Sequence, residues 1–414
     1  MTTLRVKQKW AWPRTGVFRH ASFRNYWTAR FLGSFSAQIM GVSVGWQIYD
    51  ITRNPFDLGM VGLTLFLPAF FLVLITGAVA DRFNRVLIMT ICIVGEGLCA
   101  LALLAFTLTG VQSVIPIFCT LVVLGTLRAF FGPAQQSLMP SLVPEVELPS
   151  AIAWSTSSWQ IATVFGPVMG GLLYGVFPEM AYSIALVLLA AAAAMAIRVP
   201  TRPRVGGEKP SLRALVAGFH YIWSEKVVLG AISLDLFAML LGGATALLPV
   251  YARDILVVGP WGLGLLRAAP GIGSILVAVF LLRCPIKDHA GAIMFVCVAL
   301  VGFFIAVFGA STQAWLSILA LGLMGAFDMV SVYVRQTLIQ LWTPDAVRGR
   351  VNAVNMVFLG ASNELGEFRA GISAWAVGAV PAVVIGGAAT IGVSALWWHW
   401  FPELRRVRHL QVRT

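Results

Sequence analysis

Seventeen aspartates and glutamates are few for 414 residues, and several stand inside long apolar runs. Asp235 lies in one such run. Asp328 and Arg335 share another, two helical turns apart, with Ser331 between them. That separation, roughly 10 Å along a helix axis, is too long for a direct pair and suits the lining of a polar cleft. A third run carries Glu364 and Glu367, with Arg369 and a stripe of Asn352, Asn355, Ser362 and Asn363. Arg128, Glu96, Arg30, Gln38 and Gln47 complete the set. Charges inside hydrocarbon are costly and mark function by default. A carboxylate facing a cleft can take up a proton when desolvation disfavours its charged form. Losing the charge then eases passage through a closed state. As proton-coupling candidates the order is Asp328, Asp235 and Glu367, with Glu364 beside the last. Arg335 and Arg128 are placed to neutralise these acids or to meet an anionic substrate. A structural ion pair, or a position near a helix end, accounts for Asp328 and Asp235 equally well. No nucleophile–base pair, metal-ligand cluster or Walker-type phosphate loop stands in the chain. The expectation is therefore no enzyme, no cofactor and no bound metal, with an ion gradient as the energy source.

The elements that must carry these charges follow from composition. Soluble domains are about 45–50% apolar and about 25% charged. This chain is 59% hydrophobic and 11% charged, with a mean hydropathy of +0.86. An all-α polytopic membrane protein is the class that fits, and about 20 residues per span leave room for twelve. Spans are expected near 27–49, 57–80, 86–109, 111–138, 148–176, 179–198, 227–252, 261–282, 290–310, 313–341, 346–376 and 379–401. Residues 1–26 then form a basic, aromatic segment, part of it suited to a helix on the membrane surface. Residues 27–198 and 227–401 form two six-helix bundles, 199–226 the polar linker between them, and 402–414 a tail. On this layout 23 of the 29 lysines and arginines fall on one side, with both termini. By the positive-inside rule that side is the cytoplasm. Arg53 and Arg253 are left near the ends of opposite loops. The net charge of +12 thus reads as topology and not as a nucleic-acid footprint. The five cysteines have no metal or disulfide spacing and read as small packing residues. No cleavable signal peptide is expected from the basic, Trp-rich start.

The halves repeat weakly. A shift of 200 residues aligns Gln136-Ser-Leu138 with Gln336-Thr-Leu338, Gly166 with Gly366, and Gly171 with Gly371. Between spans 2 and 3 stands Gly77-Ala-Val-Ala-Asp81-Arg82-Phe-Asn84-Arg85, with Asn84 where the turn is expected to need a left-handed residue. This turn resembles the G-x-L-A-D-R-x-G-R-K loop of the major facilitator superfamily. In span 5, Ala162-Thr-Val-Phe-Gly166-Pro167-Val-Met-Gly170-Gly171 is similar to that superfamily's drug-antiporter motif. A glycine-rich packing seam is the ordinary alternative there. In span 4, Arg128-Ala-Phe-Phe-Gly132-Pro133-Ala134 and the later Leu142-Val-Pro144 look like the branch of enterobactin exporters and macrolide efflux proteins.

The resemblance implies two pseudo-symmetric bundles that rock about a substrate held between them near mid-membrane. It implies a gating role for Gly77, Asp81, Arg82 and Arg85, with Asp81 meeting the start of span 11. For Gly166, Pro167, Gly170 and Gly171 it implies the role of an export motif. The implied activity is proton-antiport efflux of a small amphipathic molecule, siderophore- or drug-like, by a monomer in a bacterial inner membrane. Protons and membrane lipids are then partners. A lysophospholipid cargo, or a transporter-shaped receptor that moves nothing, are the alternatives. Trp46, Trp154 and Trp159 are candidate cavity aromatics.

Overall fold

A computed structural model describes residues 16–200, 219–286 and 288–408, without the side chains of 73, 74, 78, 81, 345, 346 and 353. The start of the basic segment before residue 16, linker residues 201–218, Lys287 and the tail after 408 lie outside the described residues. So does the Asp81 side chain.

Hydrocarbon offers no partner for backbone N–H and C=O groups, so a spanning chain must satisfy them within helices. The described residues are helical throughout their length apart from short connections. The long helices are α1 (Ala21–Thr52), α2 (Pro55–Arg82), α3 (Arg85–Leu108), α4 (Ile115–Leu138), α5 (Leu148–Val176) and α6 (Pro178–Ile197). The second set is α7 (Lys226–Gly242), α8 (Gly259–Arg283), α9 (Ala290–Ala310), α10 (Ala314–Trp342), α11 (Asp345–Val377) and α12 (Ala379–Trp400). A short α13 (Pro402–Arg405) follows. Local chemistry sets several starts. Asn54 caps α2 by accepting from the Phe56 amide at 3.0 Å, with Pro55 in the first turn. Asn84 caps α3 the same way, accepting from Val86 and Leu87. Its φ of −65° is ordinary, so the left-handed turn expected there is not what forms: the side chain's value lies in its oxygen.

Ten segments are long and apolar enough to cross a membrane by length and composition among the described residues. The other two long helices, α1 and α11, carry Arg30, Gln38, Gln47 and Asp50, and Arg348, Glu364, Glu367 and Arg369. Their polarity marks them as helices that face something other than lipid.

Packing repeats with a period of six helices. Within the first set α1 packs on α5 and α6, α2 on α4, and α3 on α4 and α6. Within the second, α7 packs on α11 and α12, α8 on α10, and α9 on α10 and α12. The weak sequence repeat thus reflects a full duplication of the contact plan. The two bundles meet along α5–α8 and α2–α11. Small residues permit those approaches, as they do between helices in lipid generally. A Cβ on Gly371 would stand 2.6 Å from the Gly59 Cα, and one on Gly264 would stand 2.5 Å from the Pro167 carbonyl oxygen.

Span 7 differs from expectation. The helix stops at Gly242 instead of running on to 252. The chain restarts through a tight turn at Thr245–Leu247 and ends in a wide turn at Tyr251–Ile255. Two consecutive glycines, Gly242 and Gly243, weaken the helix there, and the Gly243 backbone presses against Gly366 of α11. The orphaned carbonyl of Leu240 accepts from Arg369 Nε of α11 at 3.0 Å.

Candidate transport cavity

We call the end that holds the start of α1 and the α2–α3 turn the basic end, and the opposite one the far end. A cavity of about 700 Å³ lies between the bundles. Its α1 wall runs from Arg30 to Gly45, and Thr245, Ala246 and Pro249 line it near the far end. The α2 residues that line it, Leu58, Val61 and Leu65, come from the far half of that helix. The tight glycine approaches across α2–α11 also fall there, at Gly59, Gly62 and Gly371. The cavity therefore opens toward the basic end and is closed at the other.

Glu364 and Glu367 stand three residues apart on α11 and so share one face. Both line the cavity. They lie over Gly62 of α2: a Cβ there would stand 3.1 Å from Glu364 Oε2 and 3.2 Å from Glu367 Oε2. The missing side chain at 62 is what makes room for two carboxylates across the bundle interface. Arg267 of α8 acts electrostatically on both. Its Nη2 reaches to 3.7 Å from a Cβ position on Gly41 of α1. Arg128 of α4 acts on Glu364 and, within its own bundle, on Glu96. None of the ion pairs among the described residues uses a cavity-lining group.

Of the candidates from sequence, Glu364, Glu367, Arg128 and Gln38 line this cavity together. Glu96 and Arg30 join them, and Trp159 is the candidate aromatic that reaches it. Trp46 instead lies under Arg253, and Trp154 sits in an aromatic cluster with Phe18 and Trp27. Asp235 and Arg335 are absent from the wall. They form a buried ion pair between α7 and α10, inside the second bundle. Asp328, half-buried on α10, is not part of the lining either.

The turn residues hold the α2–α3 corner. Arg85 Nη1 donates to the Ser137 carbonyl at 3.0 Å, tying the turn to the end of α4. Arg82 is exposed, and Gly77 lies in the last turns of α2. In α5, Gly166 and Gly170 press on Gln38 and Ile39 of α1, and Gly171 presses on Pro260 and Gly264 of α8. Pro167 supplies the carbonyl that faces Gly264. This run is thus the seam where α5 meets both neighbours.

Sequence reasoning missed Arg267, Gln135 and Gln136 as cavity groups. Arg267 is the single charge in the apolar stretch 261–282, so the rule that singled out Asp235 would have found it. The two glutamines gave no such signal.

The profile of the family described as "Transmembrane secretion effector" matches residues 14–411. The chain is 27% identical over 364 residues to the enterobactin exporter EntS of Shigella boydii serotype 18, covering 84% of each chain. The same identity and coverage hold for EntS of Escherichia coli O81. In fold it is similar to a bacterial homolog of the human lysosomal transporter Spinster in an inward-facing, occupied conformation. That likeness has a TM-score of 0.74 at 13% identity and covers 95% of this chain and 99% of that one. A POT family transporter in complex with a thioalcohol-conjugated peptide gives 0.72 at 12% identity, covering 92% and 96%. Duplicated bundles, a cavity between them and a full-length profile match converge on one assignment: the chain belongs to the transmembrane secretion effector family, and is a multi-pass membrane transporter of the major facilitator superfamily.

Proposed function

We propose that this transporter exports a small amphipathic molecule from the cytoplasm by proton antiport, with the Glu364–Glu367 pair as the proton site. The observation that carries this is the pair's position. Two carboxylates share one wall of the inter-bundle cavity, against Gly62, and Arg267 and Arg128 line the same cavity. A site on the bundle interface feels each change of access, which a coupling group requires. Asp235 is engaged with Arg335 away from the cavity, and Asp328 is off the wall. Both therefore rank behind the glutamates, although sequence alone favours them. Lysine and arginine placement supports a cytoplasmic basic end, hence an inner-membrane protein with an inward-open cavity in this state. The enterobactin exporters among the relatives support a siderophore-like cargo. The volume suits a drug-sized molecule, for which pockets run about 300–1,000 Å³.

The test is proton flux in proteoliposomes that enclose a pH dye. A catecholate siderophore, a macrolide, a lipophilic cation and a lysophospholipid are added in turn. One class should drive proton movement, and Glu367→Gln should abolish it while leaving the protein folded. Flux that survives Glu367→Gln and Glu364→Gln but vanishes in Asp328→Asn would return the coupling role to α10. A response to the lysophospholipid alone would make the cargo a lipid.

A further inference from the structure

A charged contact joins the two bundles at the far end of the molecule, outside the cavity. The last turn of α1 carries Asp50, Arg53 follows directly as its C-cap, and the wide turn that ends span 7 carries Arg253 and Asp254. They pair in reciprocal sense. Arg253 binds Asp50, and Arg53 Nη1 stands 3.3 Å from Asp254 Oδ1. The Tyr49 hydroxyl donates to Asp254, and the Arg253 guanidinium lies over the Trp46 ring, 5.4 Å from its centroid. Each bundle thus contributes one cation and one anion, and each charge meets its opposite on the other bundle.

Both sides of this contact are firmly mounted. Trp46 and Tyr49 are buried in the first bundle's core. In the second, the Tyr251 hydroxyl donates to the Gly309 carbonyl at 2.7 Å, and its ring packs on Phe308 at 4.4 Å between centroids. The turn therefore moves with α9, while the glycine break at 242–243 separates it from the first part of span 7. Directly beneath, Gly45 of α1 faces Pro249, both on the cavity wall. Arg53 and Arg253 are also the two basic residues that the charge pattern leaves away from the basic end. Topology does not account for them; pairing does.

We infer that Asp50, Arg53, Arg253 and Asp254 form a reciprocal charge latch that closes the far gate, holding the transporter open toward the basic end. The latch rests on alternating access between the two ends, but on neither the cargo nor the proton site. Its pairs are partly exposed, with side chains 22% to 53% accessible. Exposed pairs are individually weak. A latch of this strength can hold one state and still release within a transport cycle.

The test uses the full chain with its five native cysteines replaced and Val44, buried on the cavity wall of α1, changed by Val44→Cys. A membrane-impermeant maleimide is applied to the far side of oriented vesicles. Asp50→Arg alone and Arg253→Asp alone put like charges face to face. Each should raise the labelling rate at least about fivefold. The double swap keeps opposite charges across the bundles and should return the rate to within about twofold of the parent. If either single reversal fails to yield folded protein by size exclusion, Asp50→Asn replaces it, with about a threefold rise expected. Unchanged labelling in the single variants overturns the latch, as does a double swap that labels as fast as they do. A shifted labelling rate in protein that moves no protons would keep the latch and reject the antiport reading.

Discussion

Gly171 gives the sharpest test of the seam between bundles. A Cβ at that position would stand 2.3 Å from the Pro260 carbonyl oxygen and 3.1 Å from both Cα and N of Gly264. All three are backbone atoms of α8, so no side chain can rotate away. Gly171→Ala must therefore push α5 and α8 apart by at least ~0.7 Å at the far end, an overpacking of the kind that costs about 1–3 kcal/mol. On alternating access that cost falls on the state closed at the far end, where the two backbones touch. The equilibrium should move toward the opposite state by about 5- to 150-fold. Far-side labelling of a cysteine at position 44 would report it directly, alongside thermal unfolding in detergent. Two other glycines bracket the outcome. Gly132→Ala meets nothing within 4 Å and should behave as the parent. Gly273→Ala would drive a Cβ to 1.9 Å from the Gly322 carbonyl oxygen, between α8 and α10 of one bundle. Every state shares that contact, so this variant should lose folded protein without favouring either state. Folded Gly171→Ala that labels at the parent rate would refute the reasoning, since the α5–α8 approach would then be the same in both states.

The Asp235–Arg335 pair should act on stability, not on transport. Arg335→Met alone leaves a buried unpaired carboxylate and should cost about 3–5 kcal/mol, whereas Arg335→Met with Asp235→Leu should regain most of it, read as detergent melting temperature. Asn84→Ala should lower stability by about 1 kcal/mol through the lost cap on α3, and Asn84→Ser should restore it; equal melting of all three would contradict the capping role. Arg369→Gln removes the guanidinium from the Leu240 carbonyl at the break in span 7 and should destabilise by about 1.5–3 kcal/mol, with Arg369→Lys intermediate. Gly62→Ala should disturb the two glutamates, whose carboxylate ends can give way, and should also press α11 at the Glu367 Cβ, 3.2 Å from the new methyl. Its signature is a changed pH dependence of flux with a small fall in melting temperature.

Much of the fold is legible in composition because lipid leaves so few alternatives. Room for twelve spans, a basic side and a weak repeat are enough to expect two bundles, and the duplicated contact plan agrees. Boundaries were less legible. α1 begins at Ala21, where arginines and aromatics mask its helical start. The break in span 7 escaped notice because Gly242-Gly243 lies in an apolar run that hydropathy reads as continuous. What decides it is a tertiary contact, the Gly366 backbone, together with the arginine that caps the broken end. The candidate site was half legible for a similar reason. Residue type flags Asp235, Asp328 and Glu367 alike as charges in hydrocarbon. Helix rotation, which sequence does not carry, decides which faces a cavity and which faces Arg335.

The α5 glycine run links these levels. Read alone, it is either an export motif or a packing seam, and the geometry shows the seam. Gly166 lies against Gln38, a cavity residue, while Gly171 lies against α8, the helix that brings Arg267 to the glutamates. Two sides of one helix, about 140° apart, thus touch the ligand-facing wall of the first bundle and the charged helix of the second. A tilt of α5 against α8 would move Arg267 relative to α1, where its guanidinium lies over Gly41, and so alter the field at Glu364 and Glu367. Packing without side chains along this run is what would let a change of access at the ends be felt as a change of charge balance in the middle. A bulkier residue there would cost stability, and it would also loosen the tie between the proposed far-end latch and the proposed proton site.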